Sequence, residues 1–162
     1  MKILGFSTLF FVIVAVAVLA AGQLGLLRGR MPDDLGVQNG RLKPPSLTPN
    51  SVSSQADLYP NHPQRDYARI DPIRFSGDPI AAMRKLENTL KTMDRVVVVS
   101  HDGDYLYAQA STPLLKFTDD MEFWLDRQGG VIQVRSASRL GRKDFNVNRE
   151  RMETIRAQFA KN

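Results

Sequence analysis

Around Arg127-Gln128-Gly129-Gly130 the segments MEFWLD and VIQVRSA alternate apolar with polar side chains. Period-two alternation on both sides of a glycine-bearing turn is the pattern of an antiparallel hairpin with one buried face. With Gln128-Gly129 at the centre of the loop, Glu122 falls opposite Arg135 and Trp124 opposite Gln133. Met121, Phe123, Leu125, Ile132 and Val134 then share the face turned to the core. Such a sheet needs a cover, and the flanking sequence supplies it.

Asp78-Pro79 reads as a helix start, Asp as N-cap and Pro at the first helical position. Ile80, Met83, Leu86, Leu90 and Met93 follow at helical spacing, which predicts a helix over 79–93. Arg95 to Ser100 is β-branched, and Asp102-Gly103 is a type I′ turn signal ahead of Tyr105 to Ala110. A loop at Asp102-Gly103 puts Val97 and Val99 on the face of Leu106 and Ala108, with Tyr105 and Tyr107 opposite. After a loop containing Gly141, Asn146 or Asn148 can cap a last helix that buries Met152, Ile155 and Phe159. The expected fold is α+β, a four-stranded antiparallel meander of two hairpins with two flanking helices on one face.

Eight of the nine prolines lie between Met31 and Pro79, where regular structure is not expected. The same region carries Leu58, Tyr59, Tyr67, Ile70, Ile73 and Phe75, more apolar groups than a solvated linker needs. Residues 31–43 read as a tether and 44–77 as extended chain lying on the domain. In that position Tyr59, Tyr67 and Phe75 would cover Tyr105, Tyr107 and Trp124, because a bare aromatic face is a liability.

No charged residue occurs from Ile3 to Leu27. At 1.5 Å per residue such a run reaches the roughly 30 Å of a bilayer's hydrocarbon. The competing assignment is a cleaved signal peptide, for which Ala20-Ala21-Gly22 is a passable site; the apolar run past it to Leu27 favours an uncleaved single-pass anchor. Arg28, Arg30, Arg41 and Lys43 after the segment would by count keep the domain in the cytoplasm. An N-terminal hydrophobic segment ahead of one small domain signals export instead, and a periplasmic or external domain is the expectation.

The net charge is +5, but bases and acids interleave, as in RERMETIR, so a mixed solvated surface is expected and no nucleic-acid partner. Without cysteine there is no disulfide, thiolate nucleophile or Cys-type metal site. The two histidines, His62 and His101, flank no nucleophile elbow or phosphate loop. No metal site and no cofactor is expected.

The polar concentration is Asp119, Asp120 and Glu122 with Arg135, Arg139, Arg149 and Arg151, together with Ser136, Ser138, Asn146 and Asn148. Close carboxylates can share a proton or hold a hard cation, and guanidinium forks can hold a phosphate or carboxylate. Asp119, Asp120, Glu122, Arg135, Ser136, Ser138, Arg139, Asn148 and Arg149 are therefore the candidate ligand-binding set. Acids and arginines in near balance can equally satisfy one another and tie the hairpin to the last helix. A non-enzymatic binding or scaffold module leads, its partner a protein or a small anionic ligand. A small-anion receptor or enzyme using the cluster at 119–151 is the alternative.

PNSVSSQA at 49–56, FTDDMEF at 117–123, RSASRLG at 135–141 and NVNRERMETIR at 146–156 resemble the bacterial and plant-plastid family called domain of unknown function 1499. The resemblance implies a small domain, often exported or plastid-targeted, with no established activity. Many relatives carry a cysteine pair near the Pro-Asn segment; Pro45 and Ser51 stand there in this chain, so no thiol role carries over. The chain divides into an anchor or signal segment at 1–28, a linker at 29–43 and an α+β domain at 44–162.

Overall fold

The computed structural model describes residues 2–161, with side chains from Ser7 onward. Its elements are α1 (Lys2–Gln23), β1 (Ser51–Ser53), a 3-10 turn (Ala56–Leu58), α2 (Arg65–Ala68), β2 (Ile73–Arg74) and α3 (Pro79–Lys91). The strands β3 (Val96–Asp102), β4 (Tyr105–Ser111), β5 (Thr118–Asp126) and β6 (Val131–Ser138) follow, and α4 (Val147–Lys161) closes the chain. The fold is α+β, with β3 to β6 forming the expected meander.

Two strands invisible to periodicity extend it. The sheet runs β1-β6-β5-β4-β3, with β2 also paired to β6, all antiparallel. A three-residue and a two-residue strand offer no alternation to detect, and their partners lie far along the chain.

The β5–β6 register is the expected one: Glu122 opposite Arg135, Trp124 opposite Gln133. Met121, Phe123, Leu125, Ile132 and Val134 are buried with Leu106, Ala108, α3's Met83, Leu86 and Leu90, and α4's Met152, Ile155 and Phe159. Each large apolar side chain so buried contributes about 1.5–3 kcal/mol. Asp78 caps α3 by accepting from the amide of Ala81 at 2.8 Å.

In the first hairpin the turn falls one residue later than expected. Asp102 pairs with Tyr105, leaving Gly103 (φ 56°) and Asp104 as the loop. That turn alone moves the pairing by two residues and keeps the faces; the register shift between Val98 and Ser100, a bulge at Val99, exchanges them. Val96 and Val98, not Val97 and Val99, therefore pack on the core, and Val97 and Val99 are exposed. The cap of α4 also differs: Asp144 accepts from the amides of Asn146 (3.1 Å) and Asn148 (3.3 Å), so neither asparagine is the cap.

The stretch expected as tether lies across the sheet face opposite the helices. Gly36 donates its amide to Glu122 at 2.8 Å, Leu42 to the Gln55 side chain at 2.8 Å, and Leu42 is buried. A Cβ built on Gly40 would meet the Trp124 ring at 3.8 Å. Cover for the outer aromatic face thus comes from residues 36–44, while Phe75 packs against the core on the other side.

Every residue from Ser7 to Ala20 in α1 is exposed. Among the described residues no helix is long and apolar enough to cross a membrane, so the expected span over residues 3–27 finds no support there. The side chains of residues 3–6 lie outside the described residues.

Candidate functional site

Strand alternation divides the expected polar cluster between two faces of the sheet. Asp120, Glu122, Arg135 and Arg139 take the outer face; Asp119, Ser136 and Ser138 take the helix face. Residues adjacent in sequence are thereby separated by the thickness of the sheet.

On the outer face Glu122 is fully buried. Its carboxylate accepts from Arg135 Nη1 at 3.0 Å, the Tyr105 hydroxyl at 2.9 Å and the Gly36 amide at 2.8 Å. One turn of the alternation away, Asp120 accepts from Arg139 through Nε at 2.9 Å and Nη2 at 2.7 Å, and from the Tyr107 hydroxyl at 2.5 Å. Gln109 and Arg139 both donate to the Tyr107 oxygen, at 2.7 and 3.1 Å. The bidentate fork to Asp120 is the strongest geometry available to an ion pair. Burial, then the negative charge of Glu122 and the hydrogen bond to it, pushes the Tyr105 phenol far above its ordinary range. Burial and the bond to Asp120 raise Tyr107. That same carboxylate raises Arg139.

On the helix face Asp119 pairs with Arg151 of α4 at 2.8 Å. Asn148 is completely buried and collects the ends of three segments. Its amide group donates to the Ser138 hydroxyl (2.9 Å), the Asn50 carbonyl (3.2 Å) and Asp144 (2.9 Å). Its oxygen accepts from the Ser136 hydroxyl and from Arg151 Nη1 at 3.2 Å. Arg149 belongs to neither group and donates to the backbone carbonyls of Arg69 (2.7 Å) and Tyr67.

Tyr105, Tyr107, Gln109, Asn50 and Asp144 complete these networks, and none of them was among the sequence candidates. The alternation of β4 had placed both tyrosines on the outer face; nothing in the sequence marked Asp144. Tyr67 donates to Asp144. Burial and this bond to an anion push the Tyr67 phenol from 10.0 up to about 12.

Beside the outer network lies a cavity of about 360 Å³ that Arg30, Lys43, Arg135, Arg139 and Asp120 line together with Pro44 and Pro45. Arg135 Nε makes a long contact of 3.4 Å to the Pro44 carbonyl on its wall. Lys43 and Arg30 are held by Asp34 at 2.5 Å and Asp33 at 3.4 Å, both more than half exposed. Among the described residues no group of three or more histidines or acids is arranged to hold a metal ion.

A family model described as protein of unknown function (DUF1499) matches residues 41–159. No curated protein and no solved structure matches the chain.

Proposed function

Because the chain belongs to the DUF1499 family, which carries no activity in its description, we propose from its own geometry a membrane-attached, non-enzymatic binding or scaffold domain. The observation that carries this reading is the closure of the polar networks. Glu122–Arg135, Asp120–Arg139 and Asp119–Arg151 are ion pairs whose side chains are at most 13% exposed. A general acid or base must change protonation during a cycle, and in these pairs that would leave an uncompensated buried charge, at a cost of several kcal/mol. Their geometry suits them to hold β5, β6, the β6–α4 loop and α4 together.

Attachment through α1 is supported by side chains such as Phe10, Phe11, Ile13 and Val16, exposed by half or more on a helix apolar all round. A helix of that kind requires an apolar phase that this chain does not itself provide. The test is flotation of the full chain with vesicles and complementation of a deletion strain by Asp120→Ala. Complementation is expected to fall in proportion to the amount of folded protein. An Asp120→Ala protein that accumulates normally yet fails to complement would overturn the non-enzymatic reading.

The cavity beside Arg135 and Arg139 favours a second reading, a small-anion receptor. Four cationic side chains face it against one acid, and two of the four are held only by exposed aspartates that a multivalent anion can replace. Phosphate, pyrophosphate or citrate would then raise the melting temperature of the wild type and not of Lys43→Ala. Equal responses would remove this reading.

A further inference from the structure

One end of the sheet is built from three stretches: residues 22–29 at the end of α1 and just beyond it, the β4–β5 loop at 112–117 and the β6–α4 loop at 139–146. They are in contact. Gln23 donates from Nε2 to the Leu114 carbonyl at 2.7 Å, and a Cβ on Gly22 would lie 2.8 Å from the Cα of Leu115. A Cβ on Gly29 would lie 2.8 Å from Arg139 Cβ and 3.0 Å from Leu140 Cγ. The apolar helix and the two loops therefore share one end of the molecule.

We propose that this end is a lipid-docking face that rests on a bilayer surface bearing anionic headgroups. The proposal depends on the reading of α1 as a membrane attachment. Leu24, Leu26, Leu114, Leu140, Phe145 and Val147 all project there, from 41% to 84% exposed. Singly exposed apolar residues are ordinary, but a group on adjoining loops marks an interaction surface.

Phe145, the most exposed, has φ 52° and is followed by Asn146 at φ 68°. Left-handed backbone at a bulky residue persists only where its surroundings hold it. Asp144 does so, being buried and bonded to Tyr67 and to the amides of Asn146 and Asn148. Phe145 also lines a largely apolar cavity of about 270 Å³ with Phe117, Leu140 and Val147. The loop is thus fastened from below while its phenylalanine is presented outward.

Charge decides the partner. Arg28, Arg30, Arg95, Lys116, Arg142 and Lys143 stand around these apolar tips, against the exposed acids Asp33, Asp94 and Glu150. Apolar tips within a cationic rim match the boundary between acyl chains and anionic headgroups. With α1 in a bilayer, its short connection at residues 24–29 holds this face at headgroup depth.

The chain has no cysteine, so single cysteines can be placed without background. Phe145→Cys and, in the turn at the opposite end of the sheet, Gln128→Cys are labelled with a polarity-sensitive fluorophore in the full chain. Each protein is reconstituted into vesicles of phosphatidylcholine with and without phosphatidylglycerol. The label at 145 is expected to shift to the blue and to be quenched by lipid-borne quenchers, more strongly with phosphatidylglycerol, while the label at 128 stays water-like. Arg142→Glu with Lys143→Glu is expected to remove the phosphatidylglycerol dependence.

A protein that floats with vesicles while its label at 145 stays water-like overturns the docking face and leaves the α1 reading intact. Failure to float overturns both. A blue shift at 145 that grows with protein concentration in the absence of lipid assigns the face to a second copy and overturns the proposal. Equal shifts in neutral and anionic vesicles overturn the anionic headgroup.

Discussion

Asn148 is where β6, the loop before α4 and the segment leading into β1 are joined through one amide group. Replacing it with alanine leaves the buried Ser136 hydroxyl without its acceptor and takes one of two donors from the Asn50 carbonyl, which keeps the Ser138 amide at 3.0 Å. An unsatisfied buried group costs about 1–3 kcal/mol, and Asn148→Ala is expected to lose at least that much in thermal melting of the full chain in detergent. The tyrosines set a pH limit in the alkaline range. The folded-state pKa of Tyr67 is raised above its unfolded value, so its contribution is fully present below pH 10.0 and is lost as pH rises through about 12. Tyr105 and Tyr107 shift in the same direction, from burial and from the carboxylates that accept their hydroxyls. Melting temperature is therefore expected to fall steeply from about pH 10 to 12. Three of the four phenols should ionise late in an ultraviolet absorbance titration; ordinary titration of all four would contradict this.

At the scale of elements, what was legible in the sequence followed periodicity. The β5–β6 register, the core face of that hairpin and the start of α3 at Asp78-Pro79 all depend on neighbours in sequence, and each came out as expected. The first hairpin departed in two places: its turn lies one residue later, because Asp102-Gly103 and Gly103-Asp104 are both acceptable turn pairs, and a bulge between Val98 and Ser100 swaps the faces of β3, which a run of β-branched residues on both faces does not announce. The candidate site was legible as a composition and not as a place. Alternation in β5 separates Asp119 from Asp120, and Asp144 enters only through the tertiary fold. Least legible was the cover at residues 36–44, whose hydrogen bonds reach Glu122, Gln55 and Tyr59 at sequence separations up to 86. Leu42, 1% exposed within it, tests that layer. Leu42→Ala is expected to cost about 2–5 kcal/mol and to open the stretch to limited proteolysis. An unchanged melting temperature would mean that the segment rides on the sheet without stabilising it.

For the molecule as a whole, a small core between one sheet and two helices is joined by buried ion pairs on both faces of β5. Buried pairs of this kind add little compared with well-packed apolar residues, yet losing one member is expensive. Charges gathered for binding or catalysis behave in the opposite way, since relieving them commonly leaves a protein as stable or more so. The thermal stability of Arg135→Ala, measured on the full chain beside the wild type, separates these cases. A structural tie predicts a loss of about 3–5 kcal/mol, a fall of roughly 10 °C for a chain of this size. A melting temperature equal to or above that of the wild type would contradict the account and return Glu122 and Arg135 to the role of a functional site.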